Sequence, residues 1–207
     1  MKAKFFLRLA LLIMSCYAWG FENFKQGAQY HLLKGVPSQQ SVEVHYFFSF
    51  NCPACHKIAL PMDAYLNKIE KEVSVFRHPL VMNQTTFQLA RAYYVLGSAR
   101  QLPGAMNVFY ENAGRADLND KVIVEKFTKL GCYDFKERWD ALSASQLREI
   151  CVKSSELASH FRLSFIPIVI VTGPQGTFSI YPSDNLPGSQ IPACLSYVLL
   201  LQTKNTL

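Results

Sequence analysis

A nearly continuous apolar run, Val42-Glu43-Val44-His45-Tyr46-Phe47-Phe48-Ser49-Phe50, leads straight into Asn51-Cys52-Pro53. Without strict alternation, such a run fits a central strand covered on both faces better than a half-exposed one. Pro53 suits the first position of a following helix, because the N–H it lacks is not needed there. That helix is predicted to continue towards Glu70, with Pro61 bending it by removing a backbone hydrogen bond. Residues 73–78 alternate and stop at Pro79, which completes a strand, helix, strand unit. Upstream, residues 29–33 form a short strand before the Gly35-Val36-Pro37-Ser38 turn.

From residue 84 to 163 the apolar spacing becomes helical, as in Phe87-Leu89-Ala90-Tyr93-Tyr94 and Val122-Val124-Phe127-Leu130, with turn signals at Pro103-Gly104 and Gly131. Residues 166–171 return to strand, and Gly173-Pro174-Gln175-Gly176 joins them to 177–181 as a hairpin. The tail from 190 to about 202 reads as a closing helix, too short in its apolar part to cross a membrane. The pattern predicts an α/β fold with a helical insertion at 84–163, between a first part at 21–83 and a second at 164–207.

The first 20 residues differ from the rest. Lys2, Lys4 and Arg8 precede an apolar run through Met14, and Ala18-Trp19-Gly20 supplies small residues for cleavage, so an exported protein beginning near Phe21 is expected. Ile13-Met14-Ser15-Cys16 is similar to a lipoprotein box, with lipidation at Cys16 as the alternative outcome. Of the 21 Lys and Arg, three lie in this segment, leaving 18 against 15 acidic residues and a net charge of +3 in place of +6. The bases are scattered, so nothing marks a nucleic-acid partner. Export also favours disulfide chemistry, since disulfides persist outside the cytoplasm.

Cys52 and Cys55 carry the candidate chemistry. At i and i+3 they share a helical face, and the helix N-terminus, with its unpaired N–H groups and positive dipole end, stabilises a thiolate at Cys52 for attack. Cys55 would resolve. A structural staple gains little from so small a loop. Zinc needs a second ligand pair, which Cys132, Cys151 and Cys194 do not form, and the other histidines (His31, His45, His78, His160) show no metal-ligand spacing. Cys52-Pro53-Ala54-Cys55-His56 also satisfies the attachment signature of c-type haem, which stands as an alternative.

The stretch from Phe47 to Cys55, the helical region with Tyr133-Asp134 and Trp139, and Ile166-Pro167 ahead of a strand and a Gly turn together resemble the DsbA family of thiol:disulfide oxidoreductases. The resemblance spans nearly all of the chain after residue 20. It implies a thioredoxin-like fold interrupted by a helical domain and a redox-active Cys52-Cys55 disulfide with no other cofactor. It also implies a cis peptide before Pro167, with the Ile166 backbone offered to extended substrate, and Pro53 and Ala54 shaping the site. Two positions depart from the family pattern. Ala54 stands where many members have histidine, and Tyr46 where many have a buried glutamate. An imidazolium beside the pair would stabilise the reduced form and make the disulfide more oxidising, which Ala54 cannot do.

With Cys16 removed and Cys52 paired with Cys55, three cysteines remain. Connectivity is not readable from sequence, but Cys132 and Cys151 flank the short helix containing Trp139 and are the expected second bridge. Cys194, on an apolar helix, is expected as a small buried hydrophobe. The resemblance implies oxidation of newly exported proteins and reoxidation by a quinone-linked membrane partner of the DsbB type. Reductase and isomerase are the alternatives. No N-terminal dimerisation domain fits before Cys52, so a monomer is expected. Ala54 and Ile166 place the expected potential at about −250 to −130 mV, between those of thioredoxin and DsbA.

Overall fold

The computed structural model describes residues 24–97 and 104–203, so the expectations for segment 1–20 and Cys16 lie outside the described residues. Five strands, β1 (Tyr30–Leu32), β2 (Glu43–Phe48), β3 (Ser74–Pro79), β4 (Ile168–Thr172) and β5 (Phe178–Ile180), form one sheet in the order β1-β5-β4-β2-β3. β2 and β3 are parallel, and helix α1 (Pro53–Ile69) makes the crossover that parallel neighbours require. All other pairings are antiparallel, including the expected β4–β5 hairpin. Five helices follow β3: α2 (Gln84–Leu96), α3 (Ala105–Asn112), α4 (Asp120–Lys129), α5 (Phe135–Ala141) and α6 (Ala144–His160). A 3-10 turn at Gly188–Gln190 then leads into α7 (Ile191–Thr203).

Side chains alternate across the sheet. Val44, Tyr46 and Phe48 of β2, with Val169 and Val171 of β4, face the larger core, which also takes in Cys55, Ile58, Met62 and Leu66 of α1 and Leu195 and Val198 of α7. Phe47, Ile168 and Ile170 face the other way, against Phe161. β2 is therefore covered on both sides, as its continuous run requires. The run outlasts the strand because Ser49 and Phe50, although buried, already belong to the turn into α1, where the Cys52 N–H donates to the Ser49 carbonyl at 3.2 Å. α1 runs unbroken through Pro61. Gly188 lies so close to it that a β-carbon there would collide with Ile58.

The helical region joins the sheet through a chain of aromatic contacts. Phe48 meets Phe50 edge-on at 5.4 Å, and Phe50 stacks on Phe109 at 4.7 Å. Phe109 leads to Phe127 and on to Phe135 and Trp139. Arg91 of α2 closes the chain by placing its guanidinium 4.2 Å from the Trp139 ring centroid and donating to the Trp139 and Leu142 carbonyls at the end of α5. Asn83 and Thr86 form a capping box at the start of α2, as do Ser143 and Gln146 at α6.

On the opposite face, parallel register brings together two histidines that sequence spacing keeps apart. His45 Nδ1 lies 3.2 Å from His78 Nε2, His45 Nε2 lies 3.3 Å from Glu43 Oε2, and His78 Nδ1 lies 3.1 Å from Ser154 Oγ on α6. Burial holds both imidazoles below their ordinary range, His78 at about 4 with His45 as a second cause, while Glu43 partly offsets the effect at His45. Below pH ~6.5 the unfolded chain takes up protons that folded His78 refuses. The stability this residue contributes is therefore complete above pH ~6.5 and is lost as pH falls towards 4, by about 3 kcal/mol. Urea unfolding from pH 7.5 to 4 should show this loss, and His78→Gln should flatten the slope. An equal slope in both proteins would contradict it.

Candidate active site

Cys52 is the N-cap residue of α1, in extended conformation (φ −113°, ψ 111°), with Pro53 at the first helical position. Its sulfur accepts the Cys55 backbone N–H at 3.2 Å, so it meets one of the N–H groups that a helix start leaves unpaired. The same thiol lies 3.8 Å from the Ile166 carbonyl oxygen and donates towards it. The Ile166–Pro167 peptide is cis. Pro167 is buried and Ile166 half-buried, while Pro53, Ala54 and His56 are exposed around the half-buried Cys52. The fold therefore gathers Cys52, Pro53, Ala54, Cys55, Ile166 and Pro167 from the start of α1 and the approach to β4.

Cys55 lies one turn deeper and is fully buried in the larger core. Burial, and then its neighbour Cys52, pushes the Cys55 thiol far above its ordinary range, so ionisation there is costly. Cys52 and Cys55 thus have different environments, one reachable and one enclosed. Tyr46 from β2 lies on the same side of the sheet as Cys55. Tyr110 from α3 lays its ring parallel to His56, with centroids 4.4 Å apart and planes 7° from parallel. Sequence spacing did not single out Tyr110. Its apolar setting at the end of α3 reads as ordinary core, and only the fold carries it to the first turn of α1.

Cys132 and Cys151, the expected second bridge, are not joined in this structure, in which Cys52, Cys55 and Cys194 are free thiols as well. Cys132 packs in the larger core and its sulfur meets Asp134 Oδ1 at 3.5 Å, whereas Cys151 is on α6, which packs against β3. Flanking one short helix in sequence does not bring them together. Burial raises both thiols. Cys194 is fully buried, as expected, with its sulfur 3.7 Å from the Gln29 carbonyl and its thiol pushed up to about 12 by burial. Among the described residues, no group of three or more His, Cys, Asp or Glu side chains is placed to hold a metal ion. The haem signature fits poorly with this packing, because Cys55 is enclosed in the core and the His56 ring lies flat on Tyr110.

The arrangement matches solved structures over most of its length. It superimposes on the oxidoreductase DsbA1 of Neisseria meningitidis with a TM-score of 0.60 at 20% identity, covering 86% of this chain and 95% of that one. The fold is that of DsbA. The crystal structure of Pseudomonas aeruginosa DsbA gives a TM-score of 0.63 at 14% identity, covering 86% and 94%. Proteus mirabilis DsbA, solved with a non-covalently bound peptide PWATCDS, gives 0.61 at 16%, covering 88% and 100%. No family model matches the sequence, and no curated protein matches it. The DsbA likeness thus rests on shape: an α/β, thioredoxin-like sheet with helices inserted between β3 and β4. No helix among the described residues is long and apolar enough to cross a membrane.

Proposed function

We propose that the protein is a DsbA-type thiol:disulfide oxidoreductase that introduces disulfides into exported proteins. The observation that carries this reading is the half-buried Cys52 sulfur at the N-cap of α1, 3.2 Å from the Cys55 N–H and 3.8 Å from the Ile166 carbonyl beside a cis proline. A substrate thiolate attacks Cys52 of the Cys52–Cys55 disulfide and forms a mixed disulfide, and Cys55 leaves as thiolate. A second substrate thiolate then attacks the substrate sulfur, releasing oxidised substrate and the Cys52–Cys55 dithiol. Extended substrate lies against the Ile166 backbone, in keeping with the peptide bound to the Proteus mirabilis protein. The protein works as a monomer in the periplasm after removal of segment 1–20, or held there by a lipid at Cys16. A DsbB-like, quinone-linked membrane oxidase restores the disulfide.

Ala54 and Ile166 favour a less oxidising pair than that of DsbA, which keeps a reductase role as the second reading. A glutathione redox titration of the Cys52–Cys55 pair separates the two. The expected potential is about −250 to −130 mV, and Ala54→His should move it upward by some tens of millivolts. A wild-type value at or below about −270 mV, that of thioredoxin, would replace oxidase with reductase. An unchanged or lower value in Ala54→His would reject the role given to Ala54.

A further inference from the structure

We propose that the hydroxyls of Tyr46 and Tyr110 are the hydrogen-bond donors that receive the Cys55 thiolate when the Cys52–Cys55 disulfide opens. The inference rests on the exchange reaction proposed above and concerns how its buried leaving group is stabilised. Both tyrosine oxygens are buried and have no hydrogen-bond partner. Folded proteins satisfy nearly all buried hydroxyls, so two unsatisfied ones close to a reactive pair call for a state in which they are used.

Their positions supply that state. Tyr46 lies on the β2 face that packs with Cys55 in the larger core, its ring stacked on Phe48 at 4.9 Å. Tyr110 comes from the helical region, with its ring against His56, the residue after Cys55, and edge-on to Phe50 at 5.6 Å. The two hydroxyls are electrostatic neighbours of each other and of both cysteines. Burial, and then these neighbours, push both phenols up, so they remain protonated and act only as donors.

The chemistry creates the need. When a substrate thiolate attacks Cys52, a substrate–Cys52 S–S bond forms and the Cys52–Cys55 S–S bond breaks. Its electron pair goes to the Cys55 sulfur, and the protein's disulfide is the oxidant. Cys55 is enclosed, and only backbone groups of Ser49 and of Cys55 itself favour its charged form. The two tyrosine O–H groups make no hydrogen bond to that sulfur while both thiols are free and protonated; on opening they turn towards the new charge and spread it, and no proton moves in this step.

The test uses Tyr46→Phe, Tyr110→Phe and the double variant of the full chain. Reduction of the oxidised protein by glutathione should slow about tenfold in each single variant and about a hundredfold in the double variant, as expected for hydrogen bonds to a charged group. In a Cys52→Ala background, the 240 nm thiolate absorbance of Cys55 should titrate at higher pH once either hydroxyl is gone. Thermal unfolding of the reduced variants should stay level or rise, since an unsatisfied hydroxyl is removed. Wild-type reduction rates with an unchanged Cys55 titration overturn the inference. So does slower reduction with a lowered unfolding temperature, which would mark a packing role. A wild-type protein that fails to exchange with glutathione overturns the oxidoreductase reading itself, and the inference falls with it. Normal wild-type exchange with unaffected variants overturns the inference alone.

Discussion

Cys52→Ser is expected to stop oxidation of a reduced dithiol peptide, lowering its rate by about a thousandfold or more. Attack requires a sulfur that substrate can reach, and of the pair only Cys52 is partly exposed. Serine keeps the N-cap function at the head of α1, so the fold should survive while the S–S chemistry is lost. The enclosed partner predicts a different phenotype. In Cys55→Ala the Cys52 thiolate can attack added glutathione disulfide, releasing one glutathione thiolate, and with no Cys55 to displace the other the Cys52–glutathione mixed disulfide should accumulate, visible as a mass shift that dithiothreitol reverses. A Cys52→Ser protein that oxidised the peptide at the wild-type rate would sink the assignment. So would a Cys55→Ala protein that trapped no adduct.

The sequence revealed the features that local covalent order determines. Cys52 and Cys55 are one helical turn apart wherever a helix starts at Pro53, and the β2 run is buried on both faces because a sheet covered on both sides demands it. Pro167 was placed by resemblance, and the cis peptide at Ile166–Pro167 agrees. The misses share one cause: they depend on register or on which side of a layer a helix lies. His45 and His78 meet only because parallel β2 and β3 pair Phe47 with His78. Tyr110 reaches the first turn of α1 only through the packing of α3. Cys132 and Cys151 look like partners in a linear reading, yet α6 carries Cys151 to a different packing surface. The strand ends moved as well, because apolar content marks burial and cannot mark where the backbone turns at Ser49 and Phe50.

Arg77→Met is expected to destabilise the fold by about 3–5 kcal/mol, because it strands a carboxylate in the interior. The Arg77 side chain is only 7% exposed, and it ties β3 to the later turns of α1. One terminal nitrogen meets Glu70 Oε2 at 2.8 Å and the other Asn67 Oδ1 at 2.6 Å. Nε approaches Asp63 Oδ1 at 3.4 Å as an ion pair outside hydrogen-bond geometry, since that nitrogen has no hydrogen-bond partner. Glu70 is half-exposed and can turn to water, but Asp63 is buried and cannot. The penalty therefore comes mainly from Asp63, and Arg77→Met/Asp63→Leu should recover most of it. Urea unfolding of the two variants at pH 7 checks this. A single-variant cost below about 1 kcal/mol, or a double variant no more stable than the single, would show that the pair does not hold α1 to β3. Arg77 pairs in register with Tyr46, but its partners Asp63, Asn67 and Glu70 lie on the later turns of α1, away from Cys52 and Cys55 at its start. Exchange by Arg77→Met should thus fall only with the folded fraction, whereas loss of a cysteine or of a tyrosine hydroxyl acts on the reaction itself.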